Sequence, residues 1–175
     1  VPTAMTTDMH MIGAMYAPST AVTLVAMGTY LEKRMDHVTF QGGSGTTRLG
    51  TFTTESSGFG DSKLAGLVRL YDRGGHELHL NAGLSLPTGS IDESDDVLSP
   101  MGTRPELRLP YPMQLGSGTY DLIPGLTYKG ASGRLGWGAQ ALGTLRLGEN
   151  DEDYSLGDRV DVTAWGSYRW APWMS

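Results

Sequence analysis

The ten residues Leu78-His79-Leu80-Asn81-Ala82-Gly83-Leu84-Ser85-Leu86-Pro87 decide the fold. An extended chain turns successive side chains to opposite faces. Leu78, Leu80, Ala82, Leu84 and Leu86 therefore share one face, while His79, Asn81, Gly83 and Ser85 share the other. One side of this strand meets an apolar medium and the other a polar one.

Working outward, the same alternation recurs. Leu64, Val68 and Leu70 oppose Lys63 and Arg69, and Tyr120, Leu122, Pro124, Leu126 and Tyr128 oppose Thr119, Asp121 and Thr127. Leu135, Trp137, Ala139, Ala141, Leu145 and Leu147 oppose Gln140, Thr144 and Arg146. Val160, Val162, Ala164, Tyr168 and Trp170 oppose Asp161, Thr163, Ser167 and Arg169. Read this way, the chain makes about seven crossings, near 3–16, 22–33, 61–71, 78–87, 119–128, 135–147 and 159–170. Short turns at 17–20, 72–75 and 129–133 alternate with long polar segments at 42–57, 88–116 and 149–153. Outer-membrane barrels have this asymmetry of short periplasmic turns and long outer loops, whereas a soluble sandwich does not.

The expected fold is therefore all-β: an antiparallel, up-and-down transmembrane β-barrel forming a single domain over 1–175. Val1 begins in mid-strand and Trp173 opens a new strand, so the chain reads as about seven strands of a larger barrel. A sheet left open would expose unpaired backbone groups to lipid.

Composition agrees once the alternation is considered. The hydrophobic fraction is 39% and the mean hydropathy −0.24, values that suit a water-soluble chain. A barrel strand, however, shows lipid only at every second residue. No run approaches the roughly 20 apolar residues of a membrane helix. Cysteine is absent, which excludes disulfides and thiolate metal sites. The net charge is −6, and no basic patch interleaves with aromatics, so nucleic acid is not an expected partner. The chain opens Val1-Pro2 with neither an initiator Met nor a signal peptide, as a processed or partial exported chain would.

A charge facing hydrocarbon at mid-bilayer costs roughly 2–4 kcal/mol, so the polar faces should line a wet lumen. The expected pore-lining set is Lys63, Arg69, His79, Asn81, Asp121, Arg146, Asp161 and Arg169, with the loop Thr88–Gly116 constricting the mouth. Tyr16, Tyr128, Trp137, Tyr168 and Trp170 gather near the short turns, where an aromatic girdle belongs.

Methionine crowds the first two crossings. Met9, Met11, Met15 and Met27 fall on one face, and thioether sulfur is a soft ligand suited to Cu(I). Methionine is equally a filler of irregular gaps, and His10 falls on the face opposite Met9 and Met11. The acidic clusters 92–96 and 149–153 lack the spaced ligands of a dedicated calcium loop. No nucleophile elbow or metalloprotease helix occurs, so neither an enzyme nor a cofactor is expected.

Three segments carry a family resemblance: Gly58-Phe59-Gly60-Asp61 leading into a strand, Leu86-Pro87-Thr88-Gly89 closing one, and 110–121, which reads Pro-Tyr-Pro-Met-Gln-Leu-Gly-Ser-Gly-Thr-Tyr-Asp. In these the chain resembles bacterial outer-membrane transporters labelled as MetA-pathway phenol-degradation proteins. The resemblance implies a longer exported barrel that passes hydrophobic or aromatic small molecules, and it carries over no catalytic residues. The expected function is thus an outer-membrane channel or transporter in contact with membrane lipid and a small-molecule solute. The alternatives are a plugged barrel that scaffolds a cell-surface assembly through a protein partner, and a copper-handling outer-membrane protein.

Overall fold

The alternation that marks the leucine strand is realised as hydrogen-bonded sheet. The computed structural model describes residues 1–43 and 45–171; the strand expected to open at Trp173 lies outside them, as does Ser44 of the glycine-rich segment. The strands in chain order are β1 (Pro2–Ser19), β2 (Val22–Phe40), β3 (Arg48–Phe59), β4 (Ser62–Arg73) and β5 (His76–Leu86). They continue with β6 (Ser94–Asp96), β7 (Glu106–Arg108), β8 (Tyr120–Ser132), β9 (Leu135–Leu147) and β10 (Arg159–Tyr168). The fold is all-β and antiparallel, with hydrogen-bonded order β1-β2-β4-β5-β8-β9-β10 and with β3 also on β2. β6 and β7 form a separate two-stranded hairpin.

Each of the seven expected crossings is a strand, and two of the turns are placed by one requirement. A hairpin ladder continues until a residue can adopt the turn that matches strand twist. Between β4 and β5 this happens at Gly74 and Gly75, with φ of 62° and 79°, the paired positive values a type I′ turn requires. Between β8 and β9 it happens at Gly133, φ 60°, so 129–132 is strand and not turn. β1 likewise runs through Pro18, tolerated because β1 has a single ladder neighbour and can spare an N–H.

The described residues divide into two compact units. The first comprises Val1–Ile12, Gly28–Ser62 and Pro87–Gly118; the second comprises Gly13–Met27, Lys63–Leu86 and the chain from Thr119 onward.

In the first unit the segment expected to be loop, 42–57, contains β3. Its Thr51, Thr53 and Thr54 are β-branched and suit a pleated ribbon without providing apolar alternation. The second expected loop, 88–116, carries the β6–β7 hairpin and a 3₁₀ turn at Tyr111–Met113. Met35 of β2 meets Leu109 and Met113 in a small core, and Met113 is wholly buried. Lys33 reaches the same segment: its Nζ donates to the carbonyls of Pro112 at 2.8 Å and Gln114 at 2.5 Å.

Residues of all three segments that carried the family resemblance converge in this unit. The carboxylate of Asp61 accepts from Gly89 N at 3.1 Å, Ser117 N at 2.8 Å and Ser117 Oγ at 2.7 Å. Thr88 Oγ1 donates to Gly60 O at 3.0 Å and accepts from Ser62 N at 2.8 Å. Gly89 and Gly116 allow the backbones to touch, since a Cβ on Gly89 would fall 2.7 Å from Gly116 Cα. Their glycines and acid thus form one clasp at both ends of the segment 87–118.

Replacing Asp61 with Ala removes a charged acceptor from three donors and should cost about 3 kcal/mol locally. Amide hydrogen exchange checks it: the Gly89 and Ser117 amides should exchange roughly 100-fold faster, a change expected from that energy. Unchanged protection would remove Asp61 from the clasp.

Candidate functional site

In the second unit the register places like with like across four strands and the three ladders that join them. Leu80 faces Leu126, Leu126 faces Ala141, and Ala141 faces Val162; Leu84 faces Leu122, and Leu122 faces Leu145. On the reverse side His79 faces Thr127, Thr127 faces Gln140, and Gln140 faces Thr163. Glu77 faces Lys129, Ser85 faces Asp121, and Asp121 faces Arg146. Cross-strand neighbours are the units of sheet stabilisation, so the two faces are chemically distinct.

Burial is inverted with respect to a water-soluble domain. Among the described residues the buried hydrophobic side chains are Leu31, Met35, Leu109, Met113 and Leu115, all in the first unit. In the second unit the buried side chains are polar: Asn81, Ser85, Thr119, Asp121, Thr144 and Asn150. Many of its leucines and valines are exposed instead, with Leu122 at 43%, Leu126 at 48%, Val160 at 75% and Val162 at 74%, and the others are half-buried. Scattered exposed hydrophobics are ordinary, but a continuous apolar face is not.

The polar face is built from neutralising pairs. Arg69 Nη1 lies 2.7 Å from Asp72 Oδ2, Lys129 Nζ 3.1 Å from Glu77 Oε2, and Arg159 Nε 2.8 Å from Asp161 Oδ2. His79 Nε2 approaches the Glu77 carboxylate at 4.0 Å. Arg146 Nη1 pairs with Asp121 Oδ2, and Thr119 Oγ1 donates to Asp121 Oδ1 at 2.7 Å. This last pair is buried, with the Asp121 side chain only 2% exposed. Asn81 Nδ2 and Gln140 Nε2 both donate to Thr127 Oγ1, at 2.9 and 2.8 Å, while Asn81 Oδ1 is buried without a hydrogen-bond partner among the described residues.

Of the expected pore-lining residues, Arg69, His79 and Asn81 come together in one hollow of about 250 Å³, with Thr23, Leu67, Thr127, Lys129 and Gln140. Asp121 and Arg146 form the buried pair farther along the same face. Lys63 is exposed opposite Met27, Asp161 pairs with Arg159, and Arg169 joins Arg134 through its backbone N–H at 2.8 Å. Sequence reasoning gave no role to Lys129, because it read 129–133 as a turn. Nor did it single out Trp165, whose indole lies over Gly138 on the polar face, filling the space a side chain would otherwise occupy.

The methionines are exposed strand residues. Met9 and Met11 belong to the first unit and are 56% and 65% exposed; Met15 and Met27 belong to the second at 69% and 36%. Met27 Cγ would lie 3.9 Å from a Cβ on Gly13, so Met27 covers that glycine. The expected aromatic girdle residues are close to the short turns: His76 contacts Tyr128 and Trp137 at ring separations of 6.0 Å, and Tyr168 meets Trp170 edge-on at 5.3 Å.

Arg146→Ala leaves the Asp121 carboxylate buried without its cation, at an expected cost of about 3–5 kcal/mol. The double variant Asp121→Asn/Arg146→Gln should recover most of that loss. Urea unfolding of the protein in detergent measures both, and equal stability of the single and double variants would contradict the pairing. No model of a known protein family matches this chain, and no curated protein does.

Proposed function

We propose that this chain forms part of the wall of a bacterial outer-membrane β-barrel channel, which passes small molecules down their concentration gradients. The carrying observation is the inversion in the second unit, where apolar side chains are exposed on one face and paired polar groups are buried on the other. Lipid is the solvent in which that arrangement is favourable, because exposed leucines then cost nothing and the charges turn to water. β4, β5, β8, β9 and β10 are 10 to 13 residues long, enough to cross a hydrocarbon core that needs about 9–11.

In lipid β1 and β10, the outer strands of the ladder, require further strands beside them, as a closed barrel would supply. The lumen is the polar face. Its acids and bases are matched locally, which favours a wall of low net field with Arg69 and Lys129 lining one hollow. The resemblance to phenol-degradation outer-membrane proteins makes hydrophobic or aromatic molecules the proposed solutes.

Two measurements test this reading. In planar bilayers, the full-length protein carrying Arg69→Gln and Lys129→Gln should shift its reversal potential toward cation preference; an unaltered potential removes both side chains from the pore. Leu122→Arg should reduce folding stability in lipid bilayers by about 2–4 kcal/mol, whereas Thr127→Arg on the opposite face should cost much less. Equal costs would reject a lipid-facing leucine side.

A further inference from the structure

The hollow on the polar face of the second unit is uneven in charge. Arg69 of β4 and Lys129 of β8 line it, with His79 of β5. No carboxylate is among its ten lining residues: Asp72 and Glu77, the acids that pair with the two cations, lie outside the lining. A hollow of about 250 Å³ with cationic walls and no acid of its own selects an anion, and its size limits that anion to a few heavy atoms.

The two cations keep donors to offer. A guanidinium and an ammonium each carry several N–H donors. Asp72 meets Arg69 at Nη1, 2.7 Å away, and Glu77 meets Lys129 Nζ at 3.1 Å. The Arg69 and Lys129 side chains are 32% and 50% exposed, and ion pairs so open to water are weak. A ligand carboxylate can share these donors without breaking a strong bond, and at an open hollow it need not shed all its water.

A second observation points to the same place. Asn81 also lines the hollow and is only 5% exposed, yet its Oδ1 has no hydrogen-bond partner among the described residues. Its Nδ2 is committed to Thr127 Oγ1, so the wall leaves this amide half satisfied. Buried polar atoms are nearly always paired, and an orphan marks a place where a bound group completes the set. A hydroxyl is donor and acceptor at once, and it completes the amide whichever way its two atoms are set.

We propose that the hollow binds a small hydroxycarboxylate, its carboxylate held by Arg69 and Lys129 and its hydroxyl by Asn81. This ligand class stands beside the apolar solutes proposed for the channel. The site's part in transport rests on that reading, whereas the binding itself does not.

The test uses the full-length protein in lipid nanodiscs, with nitrogen-labelled side chains and glycolate as the probe. Glycolate should shift the Asn81 and Arg69 side-chain signals along one saturating curve. Acetate, which lacks the hydroxyl, should bind about fivefold more weakly, the loss expected for one hydrogen bond. Arg69→Gln and Lys129→Gln should each weaken glycolate binding roughly tenfold, as loss of a charge-assisted bond implies. Arg104→Gln, which removes an exposed cation outside the hollow, should leave the affinity within about twofold. Equal affinity for glycolate and acetate would overturn the hydroxycarboxylate, and binding indifferent to both Arg69→Gln and Lys129→Gln would overturn the site. Planar-bilayer conductance is scored separately. Conductance without the glycolate shifts removes the site and keeps the channel, whereas saturable shifts without conductance keep the site and remove the channel.

Discussion

Satisfying the backbone fixes everything else about this chain. Each inner strand of the second unit commits its N–H and C=O groups to neighbouring strands, which leaves side chains alone to negotiate with the surroundings. With the ladder in place, the period of two divides every strand into two chemical surfaces, and a slip of one residue would exchange them. Leu80 opposite Leu126 and His79 opposite Thr127 therefore stand or fall together. The same register that exposes the leucines buries Asp121 beside Arg146.

The two units follow different rules within one chain. The first is ordinary in its physics: Met35, Leu109 and Met113 bury one another, and Asp61 ties the ends of a long segment with charge-assisted hydrogen bonds. The second has no buried hydrophobic side chain among its described residues, and its interior contacts are hydrogen bonds and ion pairs. Buried charge is expensive unless fully partnered, and the Thr119–Asp121–Arg146 constellation meets that demand in part through a hydroxyl donor. Under the proposed membrane reading the second unit is the part that works against lipid.

The strands of the second unit were legible in the sequence because their apolar residues alternate, and the face of each residue followed directly from its parity. The ends were less so. The sequence suggested a turn beginning before Gly130, but the turn there is set by which residue can take a positive φ beside a twisting ladder, and Gly133 does so where Gly130 does not. β3 escaped notice because threonine and serine give a strand no hydrophobic period; its register comes from β2. Asp61 looked like part of a short glycine motif, and only folding brings it to Gly89 and Ser117, 28 and 56 residues away. Parity placed Thr127 and Gln140 on the polar face, but the hydrogen bonds that join Asn81 and Gln140 through Thr127 depend on a register that only the folded ladder supplies.

The most direct test of the central claim reads the medium on each side of one ribbon. The native chain has no cysteine, so single cysteines at Leu80, Asn81, Leu122, Leu126 and Thr127 accept nitroxide spin labels without background. In lipid bilayers, collision rates with oxygen, which concentrates in hydrocarbon, should be high at 80, 122 and 126. Collisions with a water-soluble nickel chelate should be high at 81 and 127. Alternation of the two with a period of two residues is the result the account requires. Chelate access at all five positions alike would mean that water bathes both faces, and the membrane barrel would have to be abandoned.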